Sequence, residues 1–247
     1  MTVSEKLLNR LKSAYTITVL TGAGISAASG VPTFRGEEGL WKKFKPEELA
    51  NFNAFMQNPE LVWEWYNWRR QLIRDVKPNL GHYALVDMEK LFPEFTLITQ
   101  NVDNLHQEAG SQKIIELHGN IMRDKCAECS RPYSGEWDSE KEIPKCPECG
   151  GLIRPDVVWF GELLPSEAIQ TAQEAAMQCE VFFSVGTSAV VEPAASLPYI
   201  AKGNGAYVVE INPEETPLTP VCDEHVGMAA DQFLPMLVIE LENIRKI

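Results

Sequence analysis

Four of the six cysteines stand in two close pairs. Cys126-Ala-Glu-Cys129 and Cys146-Pro-Glu-Cys149 are each C-x-x-C, with 16 residues between the pairs. This spacing suits a zinc site, because each C-x-x-C turn brings two thiolates to one metal and two such turns complete a tetrahedron. Four protein ligands leave no open position, so the ion is expected to be structural. The competing reading is a pair of redox-active motifs, which rarely come doubled at this spacing. Cys179 and Cys222 read as small buried hydrophobes.

A second concentration of chemistry follows the β-branched run Tyr15–Leu20. Gly22-Ala23-Gly24-Ile25-Ser26-Ala27 fits G-x-G-x-x-G/A, and a strand feeding such a turn and then a helix is a pyrophosphate-binding arrangement. Gly22 permits the turn, and Gly24 is expected to let backbone N–H groups approach the phosphates. The alternative is a purely structural turn. An ordinary dinucleotide fold carries an acidic residue ~20 positions on, at the end of the second strand. Here that region is Trp41-Lys42-Lys43 and reads as helical. The ribose partner must come from elsewhere, with Asn212 and Glu210 as candidates.

These residues need elements to hold them. Apolar spacing predicts helices over Ser4–Ala14, Pro46–Phe55, Pro59–Val76, His82–Glu89, Pro165–Gln178 and Asp231–Ile244. Runs rich in β-branched and aromatic residues predict strands at Tyr15–Leu20, Phe95–Thr99, Lys113–Leu117, Asp156–Phe160, Val181–Val185 and Ala206–Ile211. Several strands are continuous apolar runs, as in a sheet covered on both faces. The alternation of strands and helices argues for an α/β fold with a doubly wound, Rossmann-like parallel sheet. Ligands in such folds sit beyond the carboxyl ends of the strands. The turns rich in Gly, Asn, Asp, His and Ser fall there.

Composition bounds the function. The chain has 247 residues, 35 acidic and 22 basic, for a net charge of −13. No basic excess exists to neutralise phosphates, which argues against non-specific nucleic-acid binding. No apolar run approaches the ~20 residues of a membrane span, and Ile17–Leu20 is too short for a signal-peptide core. The expected location is a bacterial or archaeal cytoplasm.

Taken together, GAGISAASGVPTFRG (Gly22–Gly36), TQNVDNLH (Thr99–His106), LHGN (Leu117–Asn120), the cysteine tetrad, VVWFGE (Val157–Glu162), SVGTSAVVEPAASLP (Ser184–Pro198) and VEIN (Val209–Asn212) resemble the sirtuins, the NAD-dependent protein lysine deacylases. The match spans almost the whole chain in the family's order. The resemblance implies one catalytic domain over 1–247: a large Rossmann-like lobe of about 1–35, 91–120 and 155–247, and a small lobe made of a helical module (36–90) and a zinc ribbon (121–154). It places NAD against Gly22, Ala23, Gly24, Pro32, Phe34 and Arg35, with Gln100 near the ribose. Nicotinamide is expected among Ala23, Asn101, Val102 and Asp103, and the adenosine half among Gly186, Thr187, Ser188, Asn212 and Pro213. His118 is implied as general base, with Asn101 and Asp103 holding nicotinamide and positioning water; a capped structural imidazole is the plainer alternative for His118. His82, His106 and His225 read as structural or surface residues. Val157–Glu162, and within it Val158, Trp159, Phe160, Gly161 and Glu162, would pair with an acyl-lysine peptide as an added strand.

Tyr66 and Arg69 share a face of one helix at i, i+3. Arg offers a fork to a carboxylate and Tyr a hydroxyl donor. The stretch VWEWYNWRR resembles the branch that removes succinyl and malonyl groups, where such a pair reads the acyl carboxylate; the alternative is an exposed helix with Arg69 or Arg70 paired to Glu64. The alanine that widens that pocket in the branch aligns with Pro46, with Ala50 or Ala54 as substitutes. The expected activity is deacetylation together with desuccinylation and demalonylation. The other classes are a mono-ADP-ribosyltransferase, a non-catalytic NAD-sensing module and a hydride-transferring oxidoreductase.

Overall fold

The computed structural model describes residues 2–33, 45–135 and 142–245. Ser4 caps helix α1 (Glu5–Ser13) by accepting the Leu7 N–H, and Leu7 and Leu11 turn inward from it. Strand β1 (Thr16–Thr21) is buried from Ile17 onward. The Gly-rich stretch then winds into a 3-10 helix over Ala23–Ser29, which Gly30 ends in the left-handed region at φ +92°. A Cβ disfavours that conformation.

Where the spacing predicts one helix over Pro46–Phe55, the chain forms two, α2 (Pro46–Leu49) and α3 (Phe52–Gln57). Asn51 causes the break. Its side chain accepts the N–H groups of Asn53 and Ala54 to cap α3, and its backbone pairs with Phe160. Asn58 caps α4 (Pro59–Arg74) in the same way. Helix α5 (Leu80–Leu91) opens with a reciprocal cap, in which Asn79 accepts the Gly81 N–H and the His82 ring accepts the Asn79 N–H. Strand β2 (Glu94–Thr99), the short helix α6 (Leu105–Ala109) and β3 (Ile114–Glu116) follow. Next come β4 (Gly119–Cys126), β5 (Pro132–Tyr133) and β6 (Ile153–Val157). The chain continues through α7 (Ser166–Gln178), β7 (Val181–Val185), α8 (Leu197–Gly203), β8 (Tyr207–Ile211), β9 (Glu224–Val226) and α9 (Ala230–Ile244). The strand expected over Asp156–Phe160 is displaced: it ends at Val157, and the next residues turn sharply at Gly161, where φ is +88°.

Six strands form one parallel sheet in the order β3-β2-β1-β7-β8-β9. Numbered within this sheet alone, that is the 3-2-1-4-5-6 order of dinucleotide-binding folds, and the order reverses between β1 and β7. One face carries Ile17, Val19, Phe95, Leu97, Phe183 and Val209 under α1, α5 and α9; the other carries Leu20, Ile98, Phe182 and Val208 under α7 and α8. Both faces are covered, so the fold is the doubly wound one that the alternation predicts.

The second sheet, β5-β4-β6, is antiparallel. It shares one core with α3 and α4: Phe55, Val62, Trp63, Tyr66, Ile121, Ile153 and Trp159 pack together, with Cys126 and Cys146 in the same cluster. Arg70 ties the two parts, donating to the Ile121 and Arg123 carbonyls and to Asp124 Oδ1. The four cysteine Sγ atoms lie within 4.8 Å of one another, with Cys126 to Cys149 at 3.4 Å and Cys129 to Cys146 at 3.7 Å. Zn–S bonds of about 2.3 Å in a tetrahedron put sulfurs ~3.8 Å apart. A disulfide needs ~2.05 Å. The cluster therefore fits one structural zinc ion. Because Cys126 and Cys146 belong to the core that holds Trp63 and Trp159, metal and core depend on each other. Cys126→Ser is expected to abolish zinc binding, read by metal analysis, and to disorder this core, read as loss of near-UV tryptophan dichroism. Full zinc content with native dichroism in the variant would refute the assignment.

Candidate active site

The turns after β1 and β7 meet with almost no side chain between them. Gly22 N–H donates to the Val185 carbonyl at 2.9 Å and Gly24 N–H to the Gly186 carbonyl at 2.8 Å. A Cβ on Gly22 or Gly24 would lie 2.7–2.8 Å from backbone atoms of Gly186 and Thr187, closer than real Cβ atoms come. The N–H groups of Gly22 and Gly24 themselves are taken by this contact, so any backbone donors to a phosphate must come from their neighbours. The glycines let two loops close on each other beside a cleft at the switch point.

That cleft is a cavity of about 870 Å³, in the upper part of the range for small-molecule sites. Its wall brings together Gly22, Ala23, Gly24, Gln100, Asn101, Val102, His118, Gly186, Thr187, Ser188, Asn212 and Pro213. Tyr66, Arg69, Val158, Trp159, Phe160, Gly161 and Glu162 line the same cavity. Its wall at the glycine loops presents small residues, hydroxyls and amides, with Gln100 Nε2 donating to Thr187 Oγ1 and Asn212 Nδ2 to the Thr187 carbonyl, each at 3.0 Å. This shape and donor set fit a dinucleotide at the carboxyl ends of the strands. Phe34 and Arg35 lie outside the described residues, as does the Trp41-Lys42-Lys43 stretch, and so does the Pro46 side chain. Pro32 is half-buried and its neighbour Thr33 lines the cavity in its place.

Of the two ribose candidates, only Asn212 reaches the wall. Glu210 is buried and takes the hydroxyls of Thr216 and Thr219, so it holds the loop after β8. That loop contributes Glu214 and Glu215 to the cavity, and α9 contributes Ala230 and Asp231. The sequence reading missed these, because nothing local marks a helix start as a wall.

His118 ends the link from β3 to β4. Its Nδ1 lies 2.9 Å from the Gln100 carbonyl, which can only accept, so Nδ1 carries the proton and Nε2 is the basic nitrogen. Burial pushes its pKa below the usual 6.5, although the Gln100 bond works in the other direction. The ring is therefore a neutral base at neutral pH. Gly119 next to it has φ +77°, and a Cβ there would fall 2.1 Å from the Asp156 carbonyl oxygen.

Asn101 is oriented from behind. Its Nδ2 donates to the Gly22 carbonyl at 3.1 Å and to Ser26 Oγ at 3.3 Å, so Oδ1 is the atom left to offer the cavity. Ser26 in turn donates to Asp103 Oδ2 at 2.7 Å. Asp103, expected in the wall, stands behind it, taking also the Leu105 N–H at 3.1 Å. Burial raises its pKa, against the hydrogen bond from Ser26. It acts on the cavity through Ser26 and Asn101. Ser26 is the linking residue, and nothing in its place within the glycine-rich motif marks it as such. His82 and His106 are both buried, as expected of structural imidazoles: His82 Nε2 faces Ser26 Oγ at 3.4 Å, and His106 Nε2 faces Thr21 Oγ1 at 2.9 Å. Burial holds His82 down at about 4 and His106 well below 6.5. His225 is half-buried against the Asn212 carbonyl.

Tyr66 and Arg69 are buried on the cavity side of α4. The Arg69 guanidinium lies over the rings of Trp65 and Tyr66, at 4.8 and 5.7 Å. The neighbouring Arg70 serves the β4 backbone instead. Ala50 lines the cavity and Ala54 does not. In the segment after β6, Val158 N–H donates to the His118 carbonyl, Trp159 N–H to Glu162 Oε2 and Phe160 N–H to the Ala50 carbonyl. Three successive donors are thus spent within the chain. Glu162 also pairs with Arg154, and although burial raises its pKa, the Arg154 bond carries it below the usual carboxylate value.

The Sir2 family's sequence model matches residues 22–193. A relative from Aquifex aeolicus named NAD-dependent protein deacylase is 60% identical over 210 residues, covering 85% of this chain and 88% of the relative. A mutant Sir2 homologue in complex with ADP-ribose superposes with a TM-score of 0.95 at 43% identity, covering 99% of each chain. The crystal structure of a Sir2 homologue–NAD complex gives 0.91 at 45% identity, covering 98% of this chain and 95% of that one. No helix among the described residues is long and apolar enough to cross a membrane. Sequence and fold agree along the length of the molecule, and the chain belongs to the Sir2 family.

Proposed function

We propose that this protein is an NAD-dependent protein lysine deacylase that removes succinyl and malonyl groups as well as acetyl groups. One observation carries the reading: a single cavity runs from the glycine loops at the switch point, past His118, to Tyr66 and Arg69. The relatives' name supports the activity, and the cavity's far end supports the acyl class.

NAD held there would supply a ribose carbon that bonds to the acyl oxygen as the nicotinamide bond breaks and a 2′-hydroxyl that takes over the acyl carbon; with one water consumed as the acyl–nitrogen bond breaks, the products would be free lysine, nicotinamide and 2′-O-acyl-ADP-ribose. Gly22, Ala23, Gly24, Thr187, Ser188, Asn212 and Pro213 would hold the cofactor. Asn101 Oδ1 would accept from the nicotinamide amide, fixed in that direction by Gly22 and Ser26. Nε2 of His118 would take the proton of a ribose hydroxyl. Val158–Glu162 would meet the peptide, with fewer backbone donors to offer than an open strand edge has. Tyr66 and Arg69 present hydrogen-bond donors toward the tail of the acyl group, which suits a carboxylate. Ala50 supplies a small residue on the wall of the same cavity.

His118→Ala is expected to lower NAD-dependent deacylation by at least ~100-fold with the fold intact; wild-type turnover in that variant would exclude the assignment. Because a base must be unprotonated and burial lowers this pKa, kcat/KM is expected to fall as pH drops, with a midpoint below 6.5. A pH–rate profile whose acidic limb sits above 7 would contradict this. Arg69→Met is expected to reduce kcat/KM about 10–100-fold more for a succinyl than for an acetyl peptide of the same sequence. Equal losses on both peptides would remove Arg69 from acyl recognition. If the wild type turns over only the acetyl peptide, the acidic-acyl reading fails and the family activity stands. Transfer of an adenine-labelled group onto protein would favour ADP-ribosylation.

A further inference from the structure

We propose that Trp159 sets acyl selectivity by fixing the direction in which the Tyr66 hydroxyl donates; the inference rests on the reading of Tyr66 and Arg69 as the acyl-tail site. Trp159 Nε1 donates to Tyr66 Oη at 2.7 Å, and both side chains are almost wholly buried. An indole N–H can only donate, so it claims a lone pair of the phenol oxygen. The phenol proton favours the ring plane, which gives it two positions. With the indole on one side, the proton is turned to the other. A hydroxyl held in this way offers a donor and matches a carboxylate. One that could rotate would equally well offer a lone pair, which repels it.

Trp159 is itself held in place by its neighbours. The Arg154 guanidinium lies over its ring at 3.3 Å, and Phe55 packs against it at 5.3 Å between centroids. Arg154 in turn donates to the Val157 carbonyl and to both oxygens of Glu162. Glu162 accepts the Trp159 N–H, so the backbone and the ring are fixed by the same pair of charges. Tyr66 stays protonated at working pH, since burial raises its pKa. Trp159 is thus a positioning residue that acts through Tyr66, and it joins the acyl end of the cavity to the segment that leads back to the His118 carbonyl.

The test is a double-mutant cycle on the full-length, zinc-loaded enzyme, scored as the ratio of kcat/KM for succinyl against acetyl forms of one peptide. Trp159→Phe keeps an aromatic ring under Arg154 and removes the N–H. It is expected to lower the ratio about tenfold, mainly through KM for the succinyl peptide. In a Tyr66→Phe background the same change is expected to move the ratio less than about twofold, because the hydroxyl it orients is gone. An equal fall in both backgrounds would make Trp159 a shape determinant and overturn the proposal, as would an unchanged ratio in Trp159→Phe alone. Should Trp159→Phe fold poorly, replacing Trp159 with its benzothienyl isostere removes the N–H at constant shape, and the same ratios decide. A wild type inactive on succinyl peptide, or a Tyr66→Phe variant with an unchanged ratio, would instead bring down the acyl-tail reading beneath it.

Discussion

The site depends on a backbone-to-backbone contact that no side chain could share. A Cβ on Gly22 or Gly24 would fall closer to Gly186 and Thr187 than real Cβ atoms come, and one on Gly186, at φ +58°, would lie 2.5 Å from the Ile25 nitrogen. Two loops from adjacent parallel strands therefore close on each other where the strand order reverses. Hydrogen bonds from Gly22 to Val185 and from Gly24 to Gly186 lock the closure. The polar part of the cavity wall is placed relative to this seam: Asn101 hangs its amide on the Gly22 carbonyl, and Gln100 and Asn212 hold Thr187. A methyl group on any of these three glycines would push the loops apart, because backbone atoms have no rotamer with which to yield.

Behind the wall lies a buried polar layer. Ser26 sits between Asn101, Asp103 and His82, and His106 continues the layer to Thr21 and Thr99. Burial keeps both imidazoles uncharged at neutral pH. A charged imidazole in that position would carry a desolvation cost with no carboxylate directly against it. His118 differs in facing the cavity with one ring nitrogen while the Gln100 carbonyl holds the other. The same burial that makes the inner histidines structural thus makes His118 a base, and orientation separates the roles.

The packing around the second sheet solves a different problem. The helices of the 46–74 segment and the antiparallel sheet have too little apolar surface to form separate cores, so they share one, with cysteines at its edge. Trp63 donates to the Ile153 carbonyl, and Arg70 bonds to two β4 carbonyls, which fastens helix to sheet. Tyr66, Trp159 and Arg154 belong to that shared construction and also face the cavity or support its wall. Cysteine cluster, core and the Tyr66 end of the cavity are therefore one mechanical unit, with Arg154 over Trp159 adding a cation–π contact of about 1–2 kcal/mol.

Much of this was legible in the linear chain, for reasons of local physics. Cysteine spacing announces a tetrahedral metal, apolar runs announce a buried parallel sheet, and G-x-G after a strand announces a tight turn at its end. Strands β4, β5 and β9 and helices α6 and α8 escaped. They are short or mixed in polarity, and the contacts that stabilise them are distant: Gly119–Cys126 is a strand because β6 pairs with it. Local pattern also could not divide labour between neighbours. Spacing from Tyr66 marks Arg69 and not its neighbour, but that Arg70 serves the β4 backbone is set only by the packing of helix on sheet. Glu210 and Asn212 are two residues apart in a strand end, and only one reaches the wall. The sequence by itself determined the element types, the metal ligands and the chemical groups available, since propensity, ligand spacing and side-chain chemistry are local. The tertiary structure alone decided which atom of His118 is basic, which side of Asn101 faces the cleft and that Tyr66 answers to Trp159, because each is set by a partner at least 18 residues away along the chain.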